Sequence, residues 1–183
     1  KENINNWLED WSRNNTPFLG PNWKCGQEAS IRVLTLSIAI IILGEQLNLK
    51  KNILLFIKLH LRRIQPTLSY AIGQSNNHGT SEAAALFVGG SLLEKNGDPD
   101  GIFWSKKGKF WLEERARELI ENDGTFSQYS VNYHRLMLDT YSIVEVLRQK
   151  LNLPKLSKEL YIKVSSSTIW LLQMTDPLTG DVP

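Results

Sequence analysis

From Trp23 to Gln46 the chain is apolar on nearly every helical face: Ile31, Val33, Leu34, Leu36, Ile38 and the run from Ile40 to Leu43 leave little side for water. A helix of that kind is stable only when other elements cover it all round. The β-branched residues at 38–42 would also suit a strand, but the length of the segment and its lack of turn residues favour a buried helix. The rest of the chain is therefore expected to supply the cover.

It does so with further amphipathic segments. Ile4, Trp7, Leu8 and Trp11 recur at helical spacing before a loop from Thr16 to Asn22 that carries Pro17, Gly20 and Pro21. From Lys50 to Ile64 a stripe of Ile53, Leu54, Ile57, Leu61 and Ile64 runs with Lys58, Arg62 and Arg63 outside it, and Pro66 breaks or bends the helix at its end. Ala83 to Leu93 is a small-residue helix in which Gly89-Gly90 predicts the close approach of a neighbour. Phe103 to Ile120, then Ser130 (an N-cap) to Leu151, then Ser157 to Met174 complete the set. About seven helices without a convincing hairpin make an all-α chain. No repeat of constant period is present, which argues against a short-motif solenoid.

Composition excludes several functions. A net charge of +2, with no basic run interleaved with aromatics, gives no footprint for nucleic acid. Lys50-Lys51 and Lys106-Lys107-Gly108-Lys109 read as solvated patches. The longest apolar run, Ile38 to Leu43, is too short to span a bilayer, and no signal-peptide core follows Lys1. Cys25 is single, so no internal disulfide forms. The 183 residues suffice for one domain with a real core. Both ends look cut, since the chain opens inside an amphipathic pattern and stops at Pro183 after a turn-like stretch, so a longer parent is expected.

Two polar clusters stand at the mouths of long helices. Ser75 to Glu82 holds Asn76, Asn77 and His78, with Glu82 four residues after His78 and so on the same helical face. Asp123 to His134 holds Gln128, Tyr133 and His134. Free N–H groups at a helix start favour a bound anion, a carboxylate can orient an imidazole, and a tyrosine can pass a proton when a donor or cation lowers its pKa. The same residues would also serve as plain caps and surface groups. Glu28 and Arg32, four apart, form either an internal ion pair or part of a cleft lining, and six tryptophans serve either core packing or sugar stacking. Three histidines with two in plausible reach make a closed zinc site a poor fit, and His60 reads as structural. No phosphate-binding loop, nucleophile elbow or zinc-protease motif is present.

Asn22-Trp23-Lys24-Cys25-Gly26-Gln27-Glu28-Ala29-Ser30-Ile31-Arg32, then Asn76-Asn77-His78 with Glu82, then Asp123-Gly124 through Ser130 to Tyr133-His134, resemble the heparinase II/III-like polysaccharide lyases. The closing Pro177 to Pro183 is similar to the linker such proteins place before a β-rich part. The resemblance implies an incomplete (α/α) toroid spanning residues 1–183, truncated at both ends, from a larger protein with a β-sandwich domain after it. It implies β-elimination on an acidic, uronate-containing polysaccharide, without a cofactor or metal in this domain, in a periplasmic or extracellular setting. Residue by residue, Asn77 and His78 would hold the uronate carboxylate and Tyr133 would transfer protons. Glu82 would orient His78, with His134 in support, and Asn76, Trp23, Gln128 and Arg32 would line the substrate. Gln128 stands where the family usually has Glu, and a further histidine would come from the β-rich part. The alternative is a non-catalytic helical glycan-binding or scaffolding module.

Overall fold

The computed structural model describes residues 2–43 and 47–182, with backbone alone at 2–5, 43 and 47–51. Gln46, the expected end of the second helix, and the side chains of Ile4 and of the Lys50-Lys51 pair lie outside the described residues. The elements are α1 (Glu2–Asn14), α2 (Gly26–Leu43), α3 (Leu47–Ile64), the short α4 (Leu68–Gly73), α5 (Asn77–Lys95), α6 (Asp100–Leu119), α7 (Val131–Lys150) and α8 (Lys158–Met174). The chain is all-α: among the described residues the β-type pairing is one isolated bridge, Ile120 to Phe126.

The helix enclosed on all sides is α5, not α2. Every residue from Gly79 to Leu93 is buried, whereas on α2 Ile31 is 47% and Ile42 76% exposed. The reason is size. Ala83, Ala84, Ala85, Gly89 and Gly90 let neighbours close on α5 from every direction, and α2, α3, α4, α6 and α7 all pack against it. α8 then closes against α6 and α7.

The Gly89-Gly90 pair acts in two directions. A side chain at Gly89 would strike Val33, Ile57 and Leu61 of α2 and α3; one at Gly90 would strike the α6 backbone at Ser105. α6 returns the contact with Gly101 against the Glu94 backbone and Gly108 against that of Phe87. Gly108 is thus a buried seam residue inside what its lysine neighbours make look like a solvated patch.

Several boundaries differ from the expectation: α5 starts at Asn77 rather than Ala83, and α6 at Asp100 rather than Phe103. Trp23 belongs to a separate turn, Pro21–Trp23, and α2 starts at Gly26. Gly20 at φ +75° and Pro21 set that turn, and the Trp23 indole donates to the Asn15 carbonyl at 3.1 Å. Pro66 bends rather than ends the chain's helical course, through a tight turn at Gln65–Thr67 into α4.

Candidate functional site

Asn76 caps α5. Its backbone is extended (φ −136°, ψ −172°), and its Oδ1 accepts from the His78 N–H at 2.9 Å. The Asp123–Ser130 loop then folds over this helix start. It is closed by the N–H groups of Glu121 and Ser127 donating to the carbonyls of Thr125 and Leu119, both at 2.8 Å. Gly124 lies at φ +96°, and a side chain there would strike the Ser166 carbonyl on α8. So held, the loop reaches across: Ser127 Oγ donates to the Ser75 carbonyl at 3.1 Å, and the Asn77 N–H donates to Gln128 Oε1 at 2.8 Å. Two clusters some 51 residues apart are joined directly.

At this junction Asn77 is buried and His78 half-buried. Burial holds the His78 imidazole below its ordinary pKa, so it is neutral at pH 7 and keeps one N–H to donate. Neither its side chain nor that of Tyr133 makes a hydrogen bond within the described residues, and Tyr133 is 44% exposed at the start of α7. Ser130 occupies the N-cap of α7 as its type suggests, yet its hydroxyl makes no capping bond.

The first block joins the same end of α5 through Gly26. A side chain there would collide with the Glu82 carboxylate, which packs against the bare Cα. Glu82 is 3% exposed with Oε2 unpartnered, and burial pushes its carboxyl up to about 7 while the Arg63 charge pulls the other way. No hydrogen bond links Glu82 to His78, so the shared helical face does not become the orienting contact that the spacing suggests. The space beside the carboxylate is taken by the α2 start.

Trp23 and Arg32 lie elsewhere. Trp23 is 2% exposed, inside a ring cluster with Trp11, Phe18 and His60 at centroid distances of 6.1, 5.4 and 4.5 Å. An enclosed indole has no face for a sugar. Arg32 lies 5.3 Å above the Trp11 ring, donates its Nε–H to His60 Nε2 at 3.0 Å, and is 3.9 Å from Glu28. Its place is the α1–α2–α3 junction, not the junction at Asn77.

Sequence reasoning missed Arg63 and Arg115. Arg63 is one of three cations outside the α3 stripe; it donates to the Trp23 carbonyl at 2.6 Å, to the Lys24 carbonyl and to Thr67 Oγ1 at 2.9 Å. Its position in the last turn before Pro66 was the available signal, since a cation there can reach orphan carbonyls. Arg115 runs beneath Gly79, donates to the Ile72 carbonyl at 3.3 Å, and is neutralised by Glu114. Among the described residues no cluster of His, Cys, Asp and Glu could hold a metal ion, and no helix is long and apolar enough to cross a membrane. Compared with protein-family models, curated proteins and solved structures, the chain has no match.

Proposed function

We propose that the chain is the helical part of an exported polysaccharide lyase that cleaves uronate-containing glycans by β-elimination, an incomplete (α/α) toroid whose parent carries a β-rich domain. The observation that supports this reading is the Asn77–Gln128 hydrogen bond, which ties the loop leading into α7 to the start of α5. Asn77 and the neutral His78 donate to the uronate carboxylate at the positive end of α5, which stabilises the charge that spreads into it when the C5 proton leaves. Tyr133, as phenolate, takes that proton, and the resulting phenol gives it to the departing O4; the C4–O4 bond breaks as the C4–C5 double bond forms. Glu82 and Gln128 act by fixing the α5 start.

One observation favours a non-catalytic glycan-binding module instead: Tyr133 is 44% exposed at the start of α7, and its side chain makes no hydrogen bond among the described residues that would hold it in place. The two are separated by ultraviolet absorbance of the unsaturated uronate product. The full-length parent, with its β-rich domain, is incubated with heparan-type, alginate-type and bacterial capsular glycans. Product is expected from at least one, and Tyr133→Phe is expected to slow its formation by about 10²–10⁴-fold. No product from any acidic glycan sinks the lyase reading; full activity in Tyr133→Phe sinks the role given to Tyr133.

A further inference from the structure

A cavity of about 230 Å³ lies under the Asp123–Ser130 loop, lined among others by Gln128, Tyr129, Ser130, His134, Trp170 and Met174. It adjoins the junction at Asn77 through Gln128, which lines the cavity and accepts from the Asn77 N–H. No Lys, Arg, Asp or Glu is among the described residues that line it. A charged ring therefore finds no counter-ion there.

His134 sets the chemistry of this space. Its Nε2 is 2.9 Å from the Ser167 carbonyl oxygen. A carbonyl only accepts, so Nε2 carries the hydrogen, and in that tautomer Nδ1 offers a lone pair. That lone pair makes no hydrogen bond within the described residues, although His134 is 2% exposed. The ring cannot turn to relieve it: it is stacked on Trp170 at 4.6 Å and 24°, and Ser167 is itself pinned by its Oγ donating to the Gly124 carbonyl at 2.7 Å. An acceptor on a ring that lines a cavity can take a hydroxyl or amide donor, from water or from a ligand.

We infer that this cavity is a subsite for one uncharged sugar ring, whose hydroxyl donates to His134 Nδ1 while Trp170 and the exposed Tyr129 offer aromatic surface to its C–H face. The volume is below the roughly 300–1,000 Å³ of sites for drug-sized ligands, which limits it to a single ring. The inference rests on the glycan reading and adds to it: the carboxylate-bearing ring sits at the α5 start and its neutral neighbour under the loop.

The test is a nitrogen-15 NMR titration of the chain with methyl glucoside and, separately, methyl glucuronide. The glucoside is expected to shift the Trp170 indole N–H and the His134 ring nitrogens, with a Kd of about 10 mM, as befits a single ring. His134→Phe keeps a ring on Trp170 but removes the lone pair, and is expected to weaken binding about tenfold. Should that variant not fold, Tyr129→Ala, at a position 92% exposed, is expected to weaken it by about threefold. Unmoved Trp170 and His134 signals at about five times the expected Kd overturn the subsite, as does glucuronide binding there in preference to glucoside. If glucuronide shifts Asn77 and His78 while glucoside leaves Trp170 alone, the lyase reading survives and the subsite does not. If glucoside shifts Trp170 while glucuronide leaves Asn77 and His78 alone, the subsite stands and the uronate reading falls.

Discussion

His60 and Glu82 are both titratable and both sealed from water, at 0% and 3% exposure, on the adjacent helices α3 and α5. They are built in opposite ways. The His60 Nδ1–H donates to the Phe56 carbonyl at 2.8 Å, Nε2 accepts from Arg32, and Trp23 and Phe56 cover the ring at 4.5 and 4.6 Å. Glu82 has an oxygen with no partner, held against Gly26. A buried group with every bond made rigidifies its surroundings; one with a bond missing is a cost the fold carries, and such costs gather where a protein acts. The contrast separates a fully bonded pole around His60 from an incompletely bonded pole at the start of α5, where the proposed site lies.

The largest expected effect tests the fully bonded pole. Trp23→Ala removes the ring shared by Trp11, Phe18 and His60, and urea denaturation should show a loss of about 3–5 kcal/mol. A loss under about 1 kcal/mol would mean that the cluster is loosely packed and that Trp23 is free for another task.

The next effect comes from pH, where the poles oppose each other. Burial lowers His60 to about 4 from 6.5, so the unfolded chain takes up a proton first and stability falls as pH drops through that window. Glu82 is raised to about 7 from 4.5, so the folded chain holds the proton and stability falls as pH rises from 4.5 to 7. Each is worth about 3 kcal/mol, and between pH 6.5 and 4.5 they nearly cancel. Glu82→Gln removes one arm. Its stability should fall by about 3 kcal/mol on acidification across that window while the parent stays level. Equal acid sensitivity of the two proteins would show that the Glu82 carboxyl is not protonated in the folded chain.

Gln128 gives the smallest effect. Gln128→Ala strips the acceptor from the Asn77 N–H and should cost about 1 kcal/mol, whereas Gln128→Glu places a negative charge at the α5 N-terminus and should recover or exceed the original stability by about 0.3–1 kcal/mol. Thermal unfolding resolves both. If alanine is neutral, the link between the two clusters is incidental.

The seven long helices were legible because apolar periodicity is a property of each segment alone, and Ser130 marked the start of α7 by its residue type, whereas the apolar stretch from Ala83 to Leu93 gave only the middle of α5, which begins at Asn77. What escaped was which neighbour fills which gap. The i, i+4 spacing puts His78 and Glu82 on one face, but nothing in it says that Gly26 enters there. Hydropathy ranks α2 above α5 as the central helix, because alanine and glycine score low while permitting the tightest enclosure. Trp23 reads as a ring available for stacking until the Gly20-Pro21 turn folds it inward. The cap from Gln128 to Asn77 spans two loops, and no local pattern encodes it.

The glycine seam between α5 and α6 has a kinetic meaning. Gly90, Gly101 and Gly108 bring backbone onto backbone between helices that succeed each other directly in the chain, so this hairpin forms with little loop-closure cost. Low loop-closure cost favours this hairpin as the folding nucleus, a prediction that kinetics can check. Gly101→Ala or Gly108→Ala should therefore slow folding more than it hastens unfolding in stopped-flow measurements, while changes at the Asp123–Ser130 loop act on the unfolding limb alone. Such a result would place the junction at Asn77 among the contacts made after the α5–α6 frame.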